Sequence, residues 1–244
     1  MFETLEALRS DRHADLRFTP VSDFGFAAGY HLAPLGAAEV GETARHMPIV
    51  FLPAGSAGAG VPQALMALGP GRNDYVAEDR AWTGGYVPAH FRRYPFILGR
   101  LGGGSGEYAL MIDSEAPHFA GEGDAGEPLF NADGSPTDLV ARARDFARWF
   151  HGQTERAREQ VRKLEEAGVL VDRQLTLTRG ETEGTVRGLR LVDMDQVRAL
   201  PDETLGEWVR TGVMDLVHAH LLSLGHIQHL DAEPILGAAE EGSG

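Results

Sequence analysis

The residues best equipped for chemistry lie between Trp82 and Arg100. Trp82, Tyr86, His90, Phe91, Arg92, Arg93, Tyr94 and Arg100 crowd this stretch, and no acidic residue falls between Pro88 and Arg100. In a chain of formal net charge −14 this is a local positive island. Arginine presents a planar fork that matches a carboxylate or phosphate. Trp82, Tyr86, Phe91 and Tyr94 would supply an apolar wall or stacking surface beside it. One reading is therefore an anion site built from Trp82, Tyr86, His90, Arg92, Arg93 and Tyr94. The other is a scaffold knot, in which the arginines pair with the protein's own carboxylates and the aromatics fill core. Two arguments weigh toward the knot: structural ion pairs are common, and adjacent residues on a helix point about 100° apart, which hinders Arg92 and Arg93 from serving one ligand. Whether either arginine pairs internally separates the two readings.

Four histidines, His218, His220, His226 and His229, stand near the C-terminus. At about 100° and 1.5 Å per residue, His218 and His220 fall on nearly opposite helix faces, and His218 and His229 lie roughly 16 Å apart. Only His226 and His229, three residues apart, can share one ion directly. A third ligand would come from elsewhere, such as His90, His118 or the acidic loop. The expectation is no metal and no cofactor, with His226 and His229 as the alternative metal pair. Residues 113–135 carry Asp113, Glu115, Glu122, Asp124, Glu127 and Asp133 with no Lys or Arg, but the EF-hand spacing is absent, so a solvated loop is expected. The glycine strings at 55–60 and 102–106 lack the features of a phosphate loop, a dinucleotide fingerprint or a nucleophile elbow.

These groups need elements to position them. Phe18 to Tyr30 is rich in aromatics and predicts a strand or hairpin. Pro34 to His46 predicts a short helix with Glu39, Glu42 and Arg45 on its wet side. Pro48–Leu52 is an apolar run that reads as a buried strand. Gln63–Leu68 is a second apolar segment, and Phe96–Leu101 with Glu107–Asp113 predicts a hairpin. Ser135-Pro136-Thr137-Asp138 has the chemistry of a helix start, with Ser135 as the cap. Leu139, Ala143, Phe146, Phe150, Ala157, Val161 and Leu164 then form one apolar stripe, and Gly168 ends the helix. A hairpin is expected across 170–193, and a last helix from Pro201 to about residue 230, with Leu205, Val209, Val213 and Leu216 as its stripe. The fold class is α+β: a largely antiparallel sheet, with the long helix at 136–167 and the C-terminal helix packed against it. The expected divisions are an N-terminal extension over 1–14, a domain over 15–232 and a flexible acidic tail over 233–244.

The composition restricts function by exclusion. The chain has 244 residues, 43% hydrophobic and 24% charged, and no cysteine. Disulfides, thiolate metal sites and thiol nucleophiles are excluded. With 36 acidic against 22 basic residues, nucleic acid and anionic membranes are disfavoured as partners. The N-terminus lacks the basic start and apolar run of a signal peptide, and no stretch reaches about 18 apolar residues. The expected protein is soluble and cytoplasmic, the alternative being the cell surface by a route without an N-terminal signal peptide.

Several blocks together resemble a known family. They are His46-Met47-Pro48-Ile49-Val50-Phe51; Trp82-Thr83-Gly84-Gly85-Tyr86-Val87-Pro88 followed by Arg92-Arg93-Tyr94-Pro95-Phe96; Met111-Ile112-Asp113-Ser114-Glu115 followed by Gly126-Glu127-Pro128-Leu129-Phe130; and Leu189-Arg190-Leu191-Val192-Asp193 with His218 to Leu224. In order and spacing, over roughly residues 15–230, the chain is similar to the bacterial SapC family, named for a protein associated with a surface layer. The resemblance brings no set of catalytic residues. It implies a surface-layer association or an accessory role beside nutrient-uptake or halogenase-like systems.

Three functions follow, in order of expectation: an accessory or binding protein for a small anionic or peptide ligand at the Trp82–Phe96 block; an enzyme of unspecified reaction, metal-assisted through His226 and His229; and a surface-layer structural protein. A protein partner and a homo-oligomer stay open, because the helix stripes would serve a monomer core or a dimer interface equally well.

Overall fold

The computed structural model describes residues 1–100, 108–119, 125–179 and 182–231. The glycine string at 102–106, part of the acidic loop, the tip of the 170–193 hairpin and the tail over 233–244 lie outside the described residues.

In chain order the elements begin with β1 (Leu5–Ala7), α1 (Ser10–His13), β2 (Arg17–Phe18), β3 (Leu32–Pro34), α2 (Val40–Thr43), β4 (Ile49–Val50) and β5 (Gln63–Leu65). Next come α3 (Ala89–Arg92), β6 (Phe96–Arg100), β7 (Tyr108–Asp113), β8 (Glu127–Pro128) and the long α4 (Asp138–Glu166). The chain then forms β9 (Leu170–Arg179), β10 (Thr182–Val192), α5 (Met194–Arg198), α6 (Asp202–Thr211) and α7 (Val213–Ser223), followed by a 3-10 turn, Leu224–His229. The class is α+β, as expected. Among the described residues all strand pairings are antiparallel, but they form four small sheets instead of one: β1-β7-β6, β3-β5-β4, β2-β8 and β9-β10. Short Pro- and Gly-rich segments keep most strands to two to six residues, too short to extend one ladder. The Phe51–Arg190 bridge couples the β9–β10 hairpin to the strand layer. Leu5–Ala7, expected within an extension, pairs with β7 along Leu5–Asp113 to Ala7–Met111.

The helices cover these sheets. Phe150, Ala157, Val161 and Leu164 of α4 are buried, and Gly168, at φ 70°, follows the helix end. The first residue of α4 is Asp138, not the segment behind Ser135. Ser135 is held by Asp133, whose Oδ1 accepts from the Ser135 amide at 2.9 Å and hydroxyl at 2.6 Å. Thr137 takes the capping position but donates its hydroxyl to the Pro128 and Leu129 carbonyls. The C-terminal helix is divided at Gly212, which is left-handed at φ 78°. Val213 and Leu216 enter the core beyond the break, while Val209, expected on the same stripe, is 64% exposed. α7 pins two strands at once. His220, fully buried, donates from Nδ1 to the Ile49 carbonyl at 2.7 Å and accepts at Nε2 from the Val192 amide at 3.1 Å. The Ile49 amide donates to Ser223 Oγ at 2.8 Å.

Two regions of the strand-rich half differ from expectation. Between Phe18 and Tyr30 only β2 is a strand, and its aromatics project from irregular chain and a 3-10 turn, Gly25–Ala27. Glu39, expected on a wet face, is 3% exposed. Its carboxylate accepts from the Gly36 amide at 2.7 Å, the Ala89 amide at 2.8 Å and the Tyr86 hydroxyl at 2.8 Å. These three donors replace the water that a buried carboxylate loses.

Candidate functional site

α3 carries the centre of the basic-aromatic block. Pro88 leads into a single helical turn that places Phe91 in the core and Arg92 in solvent. Neither arginine is ion-paired with a carboxylate among the described residues. Their environments otherwise diverge, because α3 points successive side chains apart.

Arg92 is exposed and held by polar contacts. Its Nε donates to the Val87 carbonyl at 2.9 Å and its Nη2 to the Tyr86 hydroxyl at 3.0 Å. Its guanidinium carbon lies 5.4 Å from the ring centres of both Tyr86 and Phe146. Tyr86 in turn donates to the buried Glu39, so Arg92, Tyr86 and Glu39 form one chain from solvent to core. Burial, followed by Glu39's charge, holds the Tyr86 phenol above its ordinary range, so Tyr86 stays protonated and donating.

Arg93 turns the other way. It lies 4.8 Å from the Phe150 ring centre and 5.6 Å from that of Phe2, and its Nη2 meets His90 Nδ1 at 3.2 Å. Burial pushes its guanidinium down to about 10, with Glu39's charge acting in the opposite direction. Burial, with Arg93's charge second, pushes His90 down to about 3, which keeps it neutral and able to accept from Arg93. Trp82 belongs to the packing: its indole N–H donates to the Tyr86 carbonyl at 3.0 Å, and its ring stacks on Tyr75 at 5.9 Å.

A groove of about 350 Å³ opens beside α3, lined by Phe18, Pro20, Val21, Phe24, Phe26, Phe91, Arg92, Tyr94 and His118. Phe26 and Tyr94 stack at 4.5 Å within its wall, and His118 stacks on Phe18 at 5.4 Å. The Tyr94 hydroxyl is committed to the buried Asp113 at 3.0 Å. Asp113 also accepts the Glu3 and Thr4 amides, which ties β1 and β7 to the same aromatic wall. A second cavity of about 340 Å³ shares Phe26 and Tyr94 with the groove but is polar, with Glu3, Arg80, Asp113 and Glu115 among its lining residues. Arg80 there is engaged by Asp23 at 2.9 Å.

Of the six residues expected at a ligand site, Arg92 and Tyr94 line the groove, Tyr86 supports Arg92, and His90, Arg93 and Trp82 pack away from it. Phe18, Phe24, Phe26 and His118 were not expected there. The aromatic density of residues 18–30 was the available signal, but nothing local indicated that this segment faces α3. His226 and His229 stand with ring centres 6.0 Å apart, and no group of three His, Cys, Asp or Glu suited to a metal occurs among the described residues.

The fold and groove define an α+β domain with an aromatic-walled recess next to a surface arginine that has no carboxylate partner among the described residues. The SapC family model matches residues 8–230. The chain belongs to the SapC family. No curated protein and no solved structure matches it. No helix among the described residues is long and apolar enough to cross a membrane.

Proposed function

We propose that the chain is a binding protein for a small organic anion with an apolar body, taken into the groove beside α3. The observation that carries this reading is Arg92: a cation without a carboxylate partner among the described residues, lining a recess that is otherwise aromatic and aliphatic apart from His118. In a molecule of net charge −14, a free arginine beside an apolar recess is complementary to a carboxylate attached to a hydrophobic group. Tyr86 and the Val87 carbonyl hold the guanidinium, which reduces the ordering cost of binding. Arg92 Nη1 has no protein partner among the described residues and supplies the first free donor.

Calorimetric titration of the whole chain with short aryl and alkyl carboxylates, beside their uncharged amides, tests the proposal. Acids should bind and amides should not. Arg92→Gln should weaken binding by about 10- to 100-fold, the worth of a charge-assisted hydrogen bond. Equal binding of acids and amides would remove the basis of the proposal.

A further inference from the structure

Arg92 borders two separate apolar surfaces. One is the groove, whose lining includes neither Phe146 nor Trp149. The other is a shelf on α4. The Arg92 guanidinium lies over the Phe146 ring at 5.4 Å, and Phe146 stacks on Trp149 at 5.4 Å and 22°. Trp149 is 39% exposed, so the stack that starts at Arg92 ends in solvent. Arginine beside a solvent-facing tryptophan is the composition of a binding hot spot. Charge on the shelf points to the kind of partner. Between residues 142 and 149, α4 carries three arginines and one aspartate, in a molecule of net charge −14. Arg142 is held by Glu127 at 3.4 Å and Arg144 by Asp145 at 3.5 Å, whereas Arg148 is exposed and has no carboxylate partner among the described residues. The complementary partner is acidic.

The free edge of Arg92 identifies the charged group. Nε and Nη2 donate along one edge, to the Val87 carbonyl and the Tyr86 hydroxyl. Nη1 and the second N–H of Nη2 remain, a fork that matches the two oxygens of a carboxylate. Two apolar surfaces meeting at that carboxylate suit an acidic side chain within a peptide, since a chain terminus continues in one direction only. On an extended peptide, residues two apart share a face at a spacing of about 6.6 Å, comparable to the 5.4 Å between Arg92 and the Phe146 ring. We infer that the groove and the Phe146–Trp149 shelf form one interaction surface for an extended peptide segment. The segment carries an internal Asp or Glu on Arg92, with an apolar side chain two residues to either side, one in the groove and one on the shelf. This assignment rests on the anion-binding reading above and names its ligand class.

Calorimetry on the whole chain compares four probes: acetyl-Phe-Ala-Glu-Ala-Phe-amide, its Gln counterpart, acetyl-Phe-Ala-Ala with a free C-terminal carboxylate, and 3-phenylpropanoate. The Glu peptide should bind about tenfold tighter than 3-phenylpropanoate, the worth of one added aromatic contact, and tighter than both other peptides. In Trp149→Gln, a change at an exposed site outside the groove lining, the ratio of those two affinities should fall to near unity. Tryptophan emission gives a second readout: the Glu peptide should shift it to shorter wavelength in the unaltered chain, and Trp149→Gln should lose that shift. Equal affinity for the Glu peptide and 3-phenylpropanoate, or a ratio unchanged in Trp149→Gln, would overturn the shelf and leave anion binding standing. Equal binding of the Glu and Gln peptides would overturn peptide docking on Arg92. Tighter binding of the free-acid peptide would assign Arg92 to chain termini and overturn the internal acid. Failure of every acid to bind would remove both readings.

Discussion

Arg92 and Arg93 are adjacent in the chain, yet one is a surface cation held by a tyrosine and a carbonyl, and the other is packed between two phenyl rings. That contrast gives a residue-scale prediction. Arg93 is desolvated with no carboxylate partner among the described residues, and its contacts are mainly with Phe2, Phe150 and His90. Replacing a buried charge by an apolar side chain of similar volume is commonly neutral or stabilising. Arg93→Met should therefore leave the thermal midpoint unchanged or higher and leave carboxylate affinity within about threefold, whereas Arg92→Gln should lower affinity with little effect on stability. Loss of more than about 2 kcal/mol on Arg93→Met, by chemical denaturation, would show that its ring contacts outweigh its desolvation. Arg92 and Tyr94 were legible in the sequence because the basic cluster lies within a few residues of chain. Glu39 was not: helical spacing placed it on a wet face, and only the return of Tyr86 and Ala89 from some fifty positions onward buries it.

At the scale of elements, the groove is built from the short turn α3, the two-residue strand β2, 3-10 turns around Phe26 and His118, and irregular chain, so hydrophobic periodicity carried little information about it. The long helix α4 was readable because its stripe runs for several turns and Gly168 punctuates it. The division of the C-terminal helix was missed because the apolar spacing continues across Gly212, and one backbone angle decides the break. Gly212 is left-handed, and a Cβ there would lie 3.3 Å from Gln160 Nε2, which donates to the Gly212 carbonyl at 3.0 Å. Gly152, inside α4, is helical and has nothing within 4 Å of an added Cβ. The two positions should respond in opposite senses. Gly212→Ala should destabilise by about 1–2 kcal/mol through left-handed strain, and Gly152→Ala should stabilise by about 0.5–1 kcal/mol through helix propensity. Urea midpoints measure both, and a shift of the same sign would contradict the assigned break.

For the molecule as a whole, the buried histidines set the response to acid. Burial pushes His90 down to about 3 and His118 and His220 to about 4, from an ordinary value of 6.5. Each is neutral in the folded protein, whereas the unfolded chain takes up a proton as pH falls below 6.5. Their contribution to stability is therefore complete above pH 6.5 and declines as pH falls toward about 4, by up to about 1.4 kcal/mol per pH unit for each. Because the His118 side chain has no hydrogen-bond partner among the described residues, and its carbonyl bond to the Thr19 amide is unaffected by the side chain, His118→Phe should make that decline shallower by one proton without breaking a hydrogen bond, as read from denaturation at a series of pH values. A stability independent of pH between 6.5 and 4.5 would contradict the burial of these rings. Composition had already placed the chain among acidic, cysteine-free proteins, and the order of its expected strands and helices placed it among α+β folds. It could not bring His118 and Phe18 to α3, since those contacts close over distances in sequence that no local pattern encodes.

The proposed function places an organic anion in the recess beside α3, held by Arg92. A crystal structure of the whole chain with a bound aryl carboxylate addresses it directly. The ring should lie against Phe26 and Tyr94, and the carboxylate on the Arg92 guanidinium with Tyr86 still bonded to Glu39. A ligand seated instead in the polar cavity beside Arg80, or Arg92 closed onto a carboxylate of the protein itself, would contradict it.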